Sequence, residues 1–184
     1  MGQQERKSWQ IKDEAVYEDL VNLMDLANEE IELLKELKPE AEKRNREMTD
    51  AFYTRLFAHE MTKEYLEGQD MERLHQMIGD WFIELFSGQY DQDYVKRRIK
   101  IGHIHVKIGL PVRYPLAMID IINHHGEKVA ESSSNPAQAK EAVRKVTALD
   151  IAIFNQAYED NQLKHLVELV GNERLARRLL QGMG

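Results

Sequence analysis

One histidine in this chain is singled out by its surroundings. The stretch from Tyr94 to Tyr114 reads as one helix ending at Pro111. At about 100° per residue, Tyr94, Arg98, Ile101, Gly102, Ile108 and Gly109 all fall within about 60° of His105. An imidazole thus sits in the middle of a face built from branched aliphatics and two glycines. A glycine inside a helix costs roughly 1 kcal/mol relative to alanine. Two of them bracketing one histidine imply that something flat and bulky comes close to that backbone. His103 points elsewhere, about 160° away. Such a ring can ligate a metal, or it can be a core side chain bonded to a carbonyl. The residues by themselves leave both open.

Other chemistry is poorly supported. With no cysteine in the chain, disulfides, thiolate nucleophiles, iron–sulfur clusters and cysteine-based zinc sites are excluded. His103 and His105 lie on opposite faces and form no metal clasp. The pair His124-His125 before Gly126 reads as a helix end, where imidazoles meet the negative end of the dipole. Glu72-Arg73-Leu74-His75 is a single copy of a pattern that di-iron bundles need twice. No glycine-rich phosphate loop is present. Glu29-Glu30 and Glu159-Asp160 read as solvated helix faces.

The chain has 184 residues and a formal net charge of −7. That length suits one well-packed domain. Without a basic stripe, nucleic acid is not an expected partner. The N-terminus lacks the apolar core of a secretory signal and the serine or threonine of a myristoylation site. No apolar run approaches the roughly 20 residues that span a bilayer. A cytoplasmic protein with no membrane partner is expected.

The elements that would position His105 are helices. Apolar residues recur at three and four, with no sustained alternation of period two. A first helix covers about 14–23 and can continue through 24–37, stopping before Pro39. A second, 41–57, presents Phe52, Tyr53, Leu56 and Phe57. A short piece around 61–66 stops at Gly68. Asp70 is a good N-cap for a helix to Phe86, ended by Ser87-Gly88. Its apolar face is Met71, Leu74, Ile78, Phe82 and Leu85, with Trp81 at one edge and His75, exposed, at the other. Asp91 or Asp93 opens the His105 helix, and Pro111 opens another that ends near Gly126. After the loop 131–136, a last run extends from about Ala137 to Leu166 and potentially to Gln181. The chain is all-α, with seven or eight helices.

The segment Arg98, Ile101-Gly102, His105, Ile108-Gly109-Leu110-Pro111 and Tyr114 resembles the proximal signature of the globin-coupled sensors, haem proteins built on the globin fold. Phe52-Tyr53-Thr54-Arg55-Leu56-Phe57 is similar to that family's first distal helix. Arg73-Leu74, Met77-Ile78 and Phe86-Ser87-Gly88, Tyr90-Asp91 are similar to what lies between. The resemblance covers roughly residues 24–157.

It implies a sensor globin at 24–162, an N-terminal extension at 1–23 that is partly helical, and a long C-terminal helix or linker at 163–184 leading toward an output domain. It implies haem b as cofactor, with His105 the proximal iron ligand. Gly102 and Gly109 would let the porphyrin approach, and Ile101, Ile108 and Leu110 would line the proximal side. Tyr114 would fill the pocket or hydrogen-bond the far ring nitrogen of His105. Phe52, Leu74, Met77, Ile78 and Phe82 would line the distal side. There Tyr53 would donate a hydrogen bond, which O₂ needs far more than CO. His75 could swing in as a sixth ligand.

The function implied is gas sensing without turnover, most of all of O₂ but also of CO and NO. The signal would pass through homodimer packing of the last two helices to an output domain or partner. The alternatives are a haem enzyme of nitric oxide dioxygenase or peroxidase type, and a haem-free globin fold serving as an interaction module in a stress-signalling complex.

Overall fold

The computed structural model describes residues 14–180 and 182. Residues 1–13 of the expected N-terminal extension, and Gln181, lie outside the described residues. The described residues form eight helices: α1 (Glu14–Met24), α2 (Asn28–Ala58), α3 (Glu60–Lys63), α4 (Met71–Glu84), α5 (Gln92–Lys107), α6 (Arg113–Ala130), α7 (Pro136–Val170) and α8 (Glu173–Leu180). The all-α expectation holds, and several boundaries move.

The caps follow local chemistry. Asp70 accepts from the Arg73 backbone N–H and Asp91 from that of Tyr94, each satisfying a donor that the first helical turn leaves free. Of the two candidates for the start of α5, Asp91 is the cap. Pro39 does not end a helix. It lies on the exposed side of α2, while Leu34, Leu37, Ala41 and Met48 are buried on the core side before and after it. An interior proline costs roughly 3 kcal/mol, and burying Leu34, Leu37 and Met48 returns roughly 1.5–3 kcal/mol each. Tertiary burial wins.

Two further expected ends also shift. α6 runs past Gly126, because that glycine lies against Val143 of α7 and a Cβ there would sit 2.7 Å from its methyl carbon. His124-His125 is therefore mid-helix. α7 stops at Gly171, left-handed at φ 70°, and Asn172 caps the new helix by accepting from the Leu175 N–H. α8 then doubles back, bringing Arg177 and Leu180 alongside Gln156 and Leu163.

Two cores share α7. The first gathers Leu34 and Met48 of α2, Phe82 of α4, Phe86 just past it, Ile122 and Val129 of α6, and Val143 and Val146 of α7. The second sets Tyr94 and Val95 of α5 against Leu149 and Ile153 of α7, covered by Tyr17, Leu20, Val21 and Met24 of α1. α4 thus packs on α2, and α5 packs on α7 and α1; no extensive packing joins α4 to α5.

What joins them is electrostatic. The buried Arg98 donates from Nε to Asp150 of α7 at 2.8 Å, from Nη1 to Glu84 of α4, and from Nη2 to the Trp81 carbonyl at 3.1 Å. The Tyr94 hydroxyl donates to the other Asp150 oxygen. Burial raises the Asp150 carboxyl, and the Arg98 charge and both hydrogen bonds pull it back. At the far end of α5, the Tyr65 hydroxyl reaches the Gly109 carbonyl at 3.4 Å.

Removing one partner strands the other charge. Asp150→Leu is expected to cost about 3–5 kcal/mol in urea denaturation, with Arg98→Met/Asp150→Leu recovering much of the loss. His125 gives a pH signature. It is buried in α6, and burial, then the nearby Lys128 charge, lowers its pKa below the ordinary histidine value. The unfolded chain then binds more protons than the folded one below about pH 6.5. Stability is expected to fall as pH drops from that value through the lowered folded one, and His125→Gln is expected to flatten the slope measured by thermal melts.

Candidate functional site

His105 lies near the end of α5, and its ring is oriented by two contacts. Nδ1 is 2.8 Å from the Ile101 carbonyl one turn earlier, so the nitrogen carries the proton and donates. The ring edge meets Phe154 of α7, centroids 5.2 Å apart at 76°. Nε2 is left as the lone-pair nitrogen, without a hydrogen-bond partner among the described residues. Burial lowers the pKa of His105, outweighing the Ile101 hydrogen bond. The ring is neutral at physiological pH, the form a metal needs.

The wall beside it is apolar and wet. Ile101, Ile104, His105 and Ile108 recur at three and four along α5. Ile104 is 40 % and Ile108 52 % exposed, unusual for a stripe of branched aliphatics. On α4, Leu74, Met77 and Trp81 share one face, and the Trp81 ring lies 5.6 Å from the Arg98 guanidinium of α5. That face looks toward α5, yet Met77 is 42 % exposed. Between Arg98 and Gly109 runs about 16 Å of chain, over which α4 and α5 share no extensive packing. Exposed aliphatic side chains on α4 and α5 thus accompany His105 on α5.

Tyr53 of α2 is buried, its ring against that of His75 of α4. Burial raises its phenol to about 12, so it stays protonated and able to donate. Its hydroxyl has no hydrogen-bond partner among the described residues. Ile78 is half-buried, and both it and Phe52 pack against the first core. Two surface cavities, about 330 Å³ between α7 and α8 and about 620 Å³ between α2 and α6, include neither His105 nor Tyr53 among their linings.

Several expected placements need correction. Gly102 gives close approach to α7, not to a flat ligand: a Cβ there would sit 2.6 Å from that of Ala157. Gly109 is not in the helix at all. It adopts φ 71° and ends α5, and a Cβ there would meet nothing within 4 Å. Leu110 is half-buried in the turn, and its carbonyl accepts from the Tyr158 hydroxyl at 2.8 Å. Tyr114 does not hold the His105 ring, since Ile101 already does; its ring lies 5.7 Å from that of His59 and its hydroxyl accepts from Arg113. Phe82 has no exposure and belongs to the first core. His75 is not exposed: its side chain is 18 % accessible and its ring lies against Tyr53. Phe154 and Asp150 were not legible beforehand, since α7 gives no local signal of what it faces.

The residues present fit a haem held at His105. A neutral imidazole offers a free nitrogen, the walls are aliphatic, and an unpaired buried phenol stands on the α4 side.

Residues 13–164 match the family model for protoglobin. The chain is similar to the globin domain of the Geobacter sulfurreducens globin-coupled sensor, at 29 % identity and a TM-score of 0.71, over 77 % of this chain and 96 % of that one. It shares its fold with the globin domain of E. coli DosC, crystallised in a ferric form, at 19 % identity and a TM-score of 0.60 over 77 % of this chain and 99 % of that one. With most of its length matched by the family model, the chain belongs to the protoglobin family.

Proposed function

We propose that this protein is a haem-based gas sensor domain, O₂ being its first ligand, with no turnover of its own. The observation that carries the reading is the fixed tautomer of His105: Nδ1–H is committed to the Ile101 carbonyl, which leaves Nε2 to hold iron. Haem, when bound, supplies an iron centre that takes up a diatomic gas. The family match and the similarity to a globin-coupled sensor domain support that cofactor.

The chain's own residues do the rest. Ile101, Ile104, Ile108, Leu74 and Met77 would keep water from the bound haem. The Tyr53 phenol donates a hydrogen bond, an interaction that favours O₂ over CO. To a partner carrying charge in a dry site it is worth roughly 1.5–3 kcal/mol, or one to two decades of affinity.

α5 passes the change on. His105 touches Phe154, and Gly102 leaves no slack against Ala157, so a shift of α5 is delivered to α7. α7 leads to α8, and Leu169 of α7 and Leu175 and Leu179 of α8 are exposed. Homodimer packing of these last two helices, and an output domain or partner beyond them, would receive the signal.

His105→Gly is expected to lose haem on desalting, with retention restored by imidazole in the buffer; normal haem content without imidazole sinks the proximal role. Tyr53→Phe is expected to speed O₂ release about tenfold while CO release changes little, measured by stopped-flow. Equal effects on both gases would show that the phenol acts by bulk and not through its hydroxyl.

A further inference from the structure

We propose that His75 is a positioning residue for Tyr53: its ring braces the phenol ring and sets the direction in which the hydroxyl donates. This rests on the gas-binding reading of Tyr53. The two rings lie with centroids 4.5 Å apart and planes tilted by 40°. Phe52 meets the same phenol ring edge-on at 5.4 Å. Tyr53 is therefore held by one aromatic neighbour from its own helix and by one from α4.

His75 is itself held in place. Its Nδ1 is buried and makes no hydrogen bond. It faces the Asp50 carboxylate of α2 at 3.6 Å, too far for a hydrogen bond but close enough for charge–dipole attraction. Asp50 is anchored in turn by Arg46 at 3.0 Å. One turn further along α4, Gly79 lies against Asn45 of α2. The Asn45 side chain occupies the place of a Cβ there, with its amide nitrogen 2.6 Å from where that carbon would be.

A ring engaged in this way is not free to serve as an iron ligand, which would require it to leave Tyr53. Position 75 therefore calls for a flat ring and not for a ligating nitrogen. His75→Phe is the variant that separates these two requirements.

The first measurement uses the haem-free protein labelled with ¹³C-tyrosine, in which Tyr53 is one of seven signals and is assigned by its loss in Tyr53→Phe. His75→Ala is expected to shift the Tyr53 signal and lower its titration from about 12 toward the ordinary value of about 10, whereas His75→Phe keeps both. The second uses the haem-loaded protein. There His75→Ala is expected to speed O₂ release about tenfold, with CO release unchanged and no further effect in a Tyr53→Phe background. A Tyr53 signal indifferent to His75→Ala overturns the proposal, even if the melting temperature falls. So does a His75→Phe variant whose haem spectrum changes as much as that of His75→Ala, because that is the mark of a ligand. If Tyr53→Phe alone leaves both gases unaffected, the gas role of Tyr53 fails, and the ¹³C measurement still decides whether His75 holds the ring.

Discussion

A guanidinium carried almost entirely out of water sets the spacing of the three helices around the site. Arg98 joins α5 to α7 through Asp150 and to α4 through Glu84 and the Trp81 carbonyl. A buried ion pair of this kind contributes little net stability, because desolvation offsets most of the attraction, but it tolerates few alternative geometries. α4 is committed to the first core and α5 to the second. Arg98 ties α4 to α5 at one end, and the Tyr65 hydroxyl on the Gly109 carbonyl ties the turn before α4 to the end of α5.

α7 is the element that both cores share. It contributes to both cores, supplies Asp150 to the buried pair and sets Phe154 against the His105 ring. It also takes the backbone of α5 at Gly102, where Ala157 leaves no room for a methyl group. Tight packing transmits displacement, whereas a loose contact absorbs it. The Tyr158 hydroxyl on the Leu110 carbonyl extends the same coupling to the turn after α5.

His105 and its aliphatic stripe could be read from spacing alone, since 3.6-residue periodicity is a property of one segment. The caps Asp70 and Asp91 were legible for the same reason. Partners distant in sequence were not. The need for glycine at position 102 could be seen, but not that Ala157, fifty-five positions away, creates it. Asp150 carries no mark that distinguishes it from a surface carboxylate until Arg98 and Tyr94 converge on it. Pro39 misled because a local rule met a tertiary one: the core on the other side of α2 outweighs one lost hydrogen bond. Gly171-Asn172 was readable as a stop followed by a cap, and the apolar periodicity running on toward Leu179 obscured it. His75 was misplaced because an angle on a helical wheel does not say which neighbouring helix covers that edge.

One imidazole, with its proton committed to the Ile101 carbonyl, is proposed to hold the haem. Titration of the purified wild-type chain with hemin tests it most directly, followed through the Soret band and then by desalting. A band that saturates at one haem per chain and survives desalting is the expected result. A band that grows without saturating, or a colourless protein after desalting, would contradict it.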